Sequence, residues 1–473
     1  MFRTMTTTAL LVMGIGFFPS NGKADAPSEG AGGAAVLGFT PLSDEEGLRR
    51  LPISKVPDQP LPSWAKVLAG PMPRTTAAML NLDFVHRAHS PLAPKLRAEM
   101  RWVAAHANHC AYSEAYALAD ARRAGLAQGE IDALRQGDYS QFPASEKAAL
   151  EFARKMTVDS FTVTDDEFAY LVKEYSEKDV VSMVLLMAYS NFQDRLLLCL
   201  GSPLEPNGPL PPIEVVLPTE SAASQANARP TTLPSPLPKP TGKDLIEDDL
   251  EWTGLTYDDL QERMERQRNK KTRVRVPTWE EVKPLLPANN PNAQRQIRIV
   301  WTLVCIGHQP EMGNGWSACT RALGLDLGKY RDRIFEEGLF WVTTRALNCP
   351  YCMGHCEMIW ETSGLTKPEI AERSRLLAGD DWSSFSTEEQ RAYAFSRKLT
   401  RAPWTITGAD IGGLKRDFGP ERALAVIWWT CRGHYMTRVS NGFQLGLERD
   451  NVFRGYFTDT PSPAQPGQQG SGR

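Results

Sequence analysis

The sequence predicts an all-α protein with two tandem helical domains joined by a proline-rich linker. Apolar residues recur at three- and four-residue spacing from Leu96 to Ala107, from Lys147 to Met156 and from Asp179 to Leu200, as they do on the buried face of a helix. No stretch shows the sustained alternation of period two that is typical of strands. Residues 203–244 are rich in proline, and such a segment cannot bury a core.

The first 26 residues have the pattern of a secretory signal peptide. Arg3 provides a cationic start, residues 9–18 (ALLVMGIGFF) form an apolar run, and residues 24–26 (ADA) offer a cleavage site, after either alanine. The run is too short to span a bilayer. We therefore expect a secreted or periplasmic protein without a membrane segment.

Two blocks remain between the signal, the linker and a tail at 454–473 whose composition predicts disorder. They cover residues 45–202 and 245–453, here called the first and second block. The net charge of -3 and the 23% of charged residues are ordinary for a globular protein. This charge gives no reason to expect binding to nucleic acid or to an anionic membrane.

The second block repeats the first. At an offset of 239 residues, 109–113 (HCAYS) align with 348–352 (NCPYC), and at an offset of 243, 152–157 (FARKMT) align with 395–400 (FSRKLT). Several matches in the same order predict an internal duplication.

A cluster of thiols marks the second block. Residues 349–356 (CPYCMGHC) hold three of the eight cysteines and one of the seven histidines. Asn348 is a suitable N-cap and Pro350 suits a first turn, so a helix should begin near Cys349. A C-x-x-C pair at a helix start is typical of a reactive, disulfide-forming couple with a lowered thiol pKa. His355, one turn after Cys352, could exchange protons with that thiol.

Two other interpretations of the cluster stay open. An exported protein could hold Cys349 and Cys352 as a static structural disulfide. A metal site ranks last, because zinc needs four converging ligands and Cys349, Cys352, His355 and Cys356 lie on one helix. We predict no metal and no cofactor.

The pattern E-x11-C-x-x-C, followed by a histidine within four residues, resembles the alkylhydroperoxidase-D-like and carboxymuconolactone decarboxylase superfamily. Glu337 stands twelve residues before Cys349, as that pattern asks. An aromatic-x-x-Arg element, 192–195 and 435–438, is also similar and occurs in both blocks.

The resemblance implies a thiol peroxidase. Cys352 would attack the O–O bond of a hydroperoxide, Cys349 would resolve the sulfenic acid to a disulfide, and Glu337 with a histidine would relay protons. A thiol or dithiol of unknown identity would restore the thiols. Relatives pack their helices in oligomers, so the resemblance also implies a homo-oligomer or an internal pseudo-dimer.

The chain departs from the family pattern in two places. Cys356 stands four residues after Cys352, where relatives usually place the relay histidine, and it could act as an additional resolving or misdirecting thiol. In the first block, Ser113 replaces the second cysteine, Tyr116 stands opposite His355, and Ala98 stands opposite Glu337. We expect this block to lack redox activity.

Two alternative functions differ in class. A lactone decarboxylase, as the other family name implies, would not need the cysteines. A non-catalytic secreted module would hold only a structural disulfide. Among other polar residues, we expect His434 to be a hydrogen-bonded core residue, and Arg195 and Arg438 to be structural, as members of buried ion pairs.

Overall fold

The structure is a computed structural model that describes residues 36–217 except 56 and 58, residue 252, residues 254–288 and residues 296–454. The predicted signal peptide, the linker after residue 217 and the tail after residue 454 lie outside the described residues. Within the described ranges the fold is all-α, as predicted, and the only β feature is an isolated bridge between Lys55 and Val216. No described helix combines the length and the apolar character needed to cross a membrane.

Nine α-helices form the first block. They are α1 (Asp44–Arg50), α2 (Ser63–Leu68), α3 (Pro73–Phe84), α4 (Pro94–Ala107), α5 (Ala111–Arg123), α6 (Gln128–Gln136), α7 (Ala144–Val158), α8 (Asp165–Glu174) and α9 (Glu177–Leu200).

Nine further helices are described in the second block. They are α10 (Tyr257–Arg268), α11 (Trp279–Val282), α12 (Val300–His308), α13 (Pro310–Leu327), α14 (Arg333–Ala346), α15 (Pro350–Thr362), α16 (Lys367–Ala378), α17 (Thr387–Arg401) and α18 (Gly408–Phe443). Helix α18 is interrupted at Gly419, whose φ of 75° and ψ of 163° are not helical, just before Pro420.

The three helices that periodicity predicted are confirmed as α4, α7 and α9. Side-chain caps fix several of the ends. Thr164 and Glu167 form a capping box at the start of α8, and Thr407 and Asp410 form one at the start of α18. Each box satisfies backbone N–H groups that a helix start leaves without partners.

The two blocks pack directly against each other in one compact unit. Helix α9 lies along α18, and α3 lies along α13. Helix α9 is apolar nearly all round and almost every residue in it is buried, as expected for a helix surrounded by others. The core is therefore shared between the blocks.

Residues 203–217, which the sequence assigned to the linker, lie against the first block. Glu205 accepts hydrogen bonds from the backbone N–H of Ser63 and from the hydroxyl of Tyr112, at 2.7 and 2.6 Å. The carbonyl of Leu210 accepts one from Arg87 at 2.9 Å. Proline-rich composition was a poor guide here, because the carbonyl groups of such a segment can still bond to a neighbouring surface.

Candidate functional site

The residue that precedes the cysteine motif has a left-handed backbone conformation. Asn348 has φ 49°, and Cys349 rather than Asn348 is the N-cap of α15, with Pro350 in the first turn. The prediction that Asn348 caps the helix was wrong. Its side-chain oxygen instead accepts a hydrogen bond from Arg263 at 2.7 Å. His109, with φ 52°, precedes Cys110 in the same way at the start of α5.

Cys349 and Cys352 are free thiols that lie next to each other at the start of α15. Their exposed fractions are only 1% and 2%. The Cys352 Sγ also donates to the Ser440 hydroxyl on α18 at 3.3 Å. Burial raises the pKa of the Cys349 thiol well above its usual value, and the neighbouring Cys352 raises it further. The predicted lowering of the thiol pKa is therefore wrong for Cys349, since burial outweighs the helix dipole.

One turn further along α15, Cys356 lies beside Glu337 of α14, and both side chains are buried. The Oε2 atom of Glu337 has no hydrogen-bond partner among the described residues. Burial raises the pKa of Glu337 to about 7, although Arg432 and the Cys356 thiol act to lower it. The predicted spacing thus brings Glu337 into the cysteine cluster, next to Cys356. A carboxyl group with a pKa near neutrality can both donate and accept protons.

His355 points away from the thiols. Its Nε2 lies 2.7 Å from Oε2 of Glu448, and its ring packs on Tyr351 with centroids 4.2 Å apart. Among the described residues, no hydrogen bond joins His355 to Cys352. Burial alone would raise the pKa of Glu448, but His355 and its hydrogen bond hold that pKa below the usual value. His355 is therefore hydrogen-bonded to Glu448, which follows α18, rather than to Cys352.

Sequence reasoning missed Glu448. The carboxylate also accepts hydrogen bonds from the Tyr351 hydroxyl at 3.1 Å and from the Val300 backbone N–H at 2.8 Å. Its first-block counterpart at the 243-residue offset is Glu205, bonded to Tyr112. The signal was present in the repeat, since Leu204-Glu205 aligns with Leu447-Glu448.

A solvent-filled cleft of about 410 Å³ lies beside the buried thiols. Its lining includes Asn348 and Pro350, which flank Cys349, and Ser440, which bonds to Cys352. The lining also contains four cationic side chains and no acidic one; the four are Arg263, Arg266, Lys270 and Arg273. We call this feature the basic cleft.

The first-block counterpart of the site is different. Cys110 lies 3.4 Å from the Ser113 hydroxyl, so a second thiol is missing there. Arg101 donates to Ser113 at 2.8 Å and pairs with Asp194. Burial raises the pKa of Cys110 to about 12. A protonated, isolated thiol of this kind is a poor nucleophile.

Two expectations about structural residues had different outcomes. His434 is fully buried between Thr400 and Arg438, at 3.1 and 3.0 Å, as predicted. Arg195 and Arg438 are buried, but they are not held by ion pairs as predicted. Each donates to backbone carbonyl groups, because the opposite block presents the free carbonyl of Thr400 or Thr157 at that point.

Among the described residues, one cluster of carboxylates has oxygens close enough together to hold a metal ion. One oxygen each of Glu99, Glu130 and Glu146 lies within 4.8 Å of the others. The ammonium group of Lys95 already pairs with all three. This cluster is part of the first block and contains none of the cysteines.

One comparison with known proteins finds a match, and it falls in the first block. No curated protein matches the chain. The model of the carboxymuconolactone decarboxylase family matches residues 73–155, which span α3 to α7 and include the Cys110 helix start. This segment of the first block is therefore similar to the carboxymuconolactone decarboxylase family.

Proposed function

We propose that the second block is a thiol-dependent peroxidase or disulfide oxidoreductase that reduces alkyl hydroperoxides. The observation that carries this proposal is the position of two neighbouring free thiols, Cys349 and Cys352, at the start of α15. Two neighbouring thiols can form a disulfide without a large backbone movement. The pair can thus capture a sulfenic acid before it is oxidised further.

The proposed reaction has two covalent steps. The Cys352 thiolate attacks one oxygen of the hydroperoxide; an S–O bond forms, the O–O bond breaks, and the alkoxide takes a proton and leaves as the alcohol. Cys349 then attacks the sulfenic sulfur, so that the disulfide forms and water leaves. An external dithiol supplies the two electrons that restore both thiols and becomes a disulfide itself.

Glu337 and Cys356 are the proposed proton relay. Glu337 has a pKa of about 7, so it exists in both protonation states near neutral pH. Burial raises the pKa of the Cys356 thiol well above its usual value, which keeps this thiol protonated and able to donate. Cys356 lies one turn from Cys352 on α15. In this proposal it takes the place of the histidine that relatives use.

The basic cleft is the proposed route to the thiols. Arg263 and Lys270 have no ion pair among the described side chains, and both line the cleft beside Pro350 and Ser440. Unpaired cations in a cleft raise the local concentration of anions. We therefore propose that the hydroperoxide or the dithiol reductant carries a carboxylate.

The repeat supplies a role for the first block. We infer that the blocks are copies of one domain that pack as an internal pseudo-dimer. Reciprocal hydrogen bonds support this: Arg195 donates to the Thr400 carbonyl, and Arg438, its counterpart, donates to the Thr157 carbonyl. In this proposal the first block completes the fold and does no thiol chemistry. We also propose export to the periplasm or the cell exterior, and only the N-terminal sequence supports this part of the proposal.

Matched cysteine variants test the proposed function. The full chain is incubated with cumene hydroperoxide and dithiothreitol, and peroxide loss is followed for the wild type, Cys352→Ser and Cys110→Ser. We expect loss of consumption only in Cys352→Ser, because Cys110 has no partner thiol. In Cys349→Ser, dimedone should trap a sulfenic acid on Cys352. Equal consumption by Cys352→Ser and wild type would contradict the proposal and favour an activity that does not need the cysteines.

A further inference from the structure

A small cavity of about 40 Å³ lies in the first block, beside the counterpart of the thiol site. Its polar lining includes His86, Arg97, Arg101, Tyr112, Ser113 and Tyr116. Since one water needs roughly 10–15 Å³ of such space, the cavity can hold about three groups of that size. This is the size of a short organic acid.

His86 is the unpartnered polar group of the cavity. The side chain is 1% exposed, and neither ring nitrogen has a hydrogen-bond partner among the described residues. The ring stacks on Tyr189, with centroids 4.4 Å apart and planes 9° apart, which fixes its orientation. Burial, with the charges of Arg97 and Arg101, lowers the pKa of His86 to about 3. The neutral ring therefore presents one N–H donor and one acceptor nitrogen.

Arg97 is the cation of the cavity that has no direct ion pair. Arg87 pairs with Asp83 and Asp120, at 3.2 and 2.8 Å, and Arg101 pairs with Asp194. Arg97 forms no ion pair with any described residue, and its guanidinium donates to the Ser90 carbonyl at 3.4 Å. The Asp120 carboxylate acts on Arg97 only at longer range, so the Arg97 guanidinium keeps donors for a ligand.

We propose that this cavity binds a short monocarboxylate, such as acetate or propionate, between Arg97 and His86. A planar guanidinium matches a planar carboxylate with two parallel hydrogen bonds, and the His86 N–H can provide a third. The apolar lining from Ala98, Ala117 and Leu186 suits a short alkyl group.

The charges around the cavity favour a monoanion over a dianion. Arg97 is the one cation of the lining without a direct ion pair among the described residues. A phosphate or sulfate dianion would meet the carboxylates of Asp83 and Asp120, which also line the cavity, and like charges in a poorly solvated site repel strongly.

The site is independent of the proposed thiol chemistry. It contains no cysteine side chain and lies in the block where Ser113 replaces the reactive thiol. Binding should therefore be unchanged in a chain that carries Cys349→Ser and Cys352→Ser. Failure of one proposal would leave the other intact.

The test is saturation-transfer-difference NMR with the full chain and with acetate, propionate and phosphate as probes at constant ionic strength. Acetate and propionate should show transfer and phosphate should not. Arg97→Gln and His86→Phe should each weaken acetate binding about tenfold or more, since each removes a hydrogen bond to a charged ligand. Arg122→Gln, an exposed arginine on α5, is the matched control.

Circular dichroism of each variant separates loss of binding from loss of fold. Should His86→Phe unfold the chain, Arg97→Gln still decides the matter, because Arg97 is only partly buried and forms no direct ion pair with a described carboxylate that the change would break. No transfer to acetate in the wild type, or equal transfer in wild type and Arg97→Gln, would overturn the proposal.

Discussion

The thiol of Cys356 lies beside the carboxyl group of Glu337, one helix away, and both groups are buried. The resemblance described above implied a histidine where Cys356 stands. Instead, a carboxyl group with a pKa of about 7 lies next to a thiol whose pKa is raised by burial. In the proposed reaction, proton transfer there depends on the carboxyl group.

Glu337→Gln should slow oxidation of Cys352 by hydroperoxide at least a hundredfold, the usual effect of removing a general acid or base. The amide keeps the size of the side chain but cannot exchange a proton. Stopped-flow kinetics with cumene hydroperoxide measures the rate. Glu369→Gln, a change at an exposed capping box of α16, is the control; an equal slowing in both variants would argue against the relay.

Glu337 should also make stability depend on pH. Its pKa is raised from 4.5 to about 7 in the folded chain. The contribution of Glu337 to the free energy of unfolding is therefore full below pH 4.5 and is lost as the pH rises through 7. Integrated over that shift, the loss is about 3 kcal/mol. Urea unfolding at pH 5 and pH 8 should therefore show wild type losing about 3 kcal/mol relative to Glu337→Gln. A parallel pH profile of the two proteins would contradict the raised pKa.

Cys356→Ser and Cys356→Ala should differ in the rate at which hydroperoxide oxidises Cys352. Serine keeps a hydrogen-bond donor beside the buried carboxyl group of Glu337, whereas alanine removes that donor. We expect alanine to slow Cys352 oxidation about tenfold more than serine, which corresponds to about 1.4 kcal/mol. If the two variants react equally fast, Cys356 has no part in proton transfer.

Glu448→Gln should destabilise the chain by about 3 kcal/mol, because it leaves the buried His355 without its charge partner. The pKa of Glu448 is lowered by His355, so the stabilisation is present above pH 4.5 and is lost as pH falls through the folded-state pKa. Glu205→Gln is the matched control in the first block, where Tyr116 replaces the histidine. Thermal unfolding from pH 7 down to about pH 2.5 should show this acid sensitivity in the wild type and in Glu205→Gln, and not in Glu448→Gln.

Much of the fold could be predicted from the sequence, since α4, α7 and α9 follow from local periodicity. The start of α15 was predicted one residue too early, because Asn348 adopts a left-handed conformation that Asn tolerates. Residues 203–217 were assigned to the linker on composition, yet Glu205 is buried against Tyr112. Composition does not show which backbone groups will find partners.

The site was predicted in part. The spacing brought Glu337 to the thiols, but its neighbour there is Cys356, and the partner of His355 lies 93 residues further on, at Glu448. Sequence reasoning could not have found the basic cleft, because Arg263 and Lys270 come from a segment outside the motif. The burial that raises the pKa of Cys349 is likewise a property of the packed chain rather than of its helix start.

The basic cleft predicts that the chain reacts faster with a negatively charged hydroperoxide than with a neutral one. Lys270→Glu and Arg263→Glu together should slow the reaction with a carboxylated hydroperoxide about tenfold, while the rate with neutral cumene hydroperoxide stays unchanged. Added salt should reduce the difference. Equal effects on both peroxides would mean that the charges act on the fold and not on the substrate.

Mass mapping of the thiols decides whether Cys349 and Cys352 form a redox pair. The purified, reduced chain is treated with one equivalent of an organic hydroperoxide, alkylated and digested. We expect a disulfide between Cys349 and Cys352, with Cys110, Cys199, Cys305, Cys319 and Cys431 still alkylated as free thiols. Unchanged alkylation of Cys349 and Cys352 would contradict the proposed redox pair.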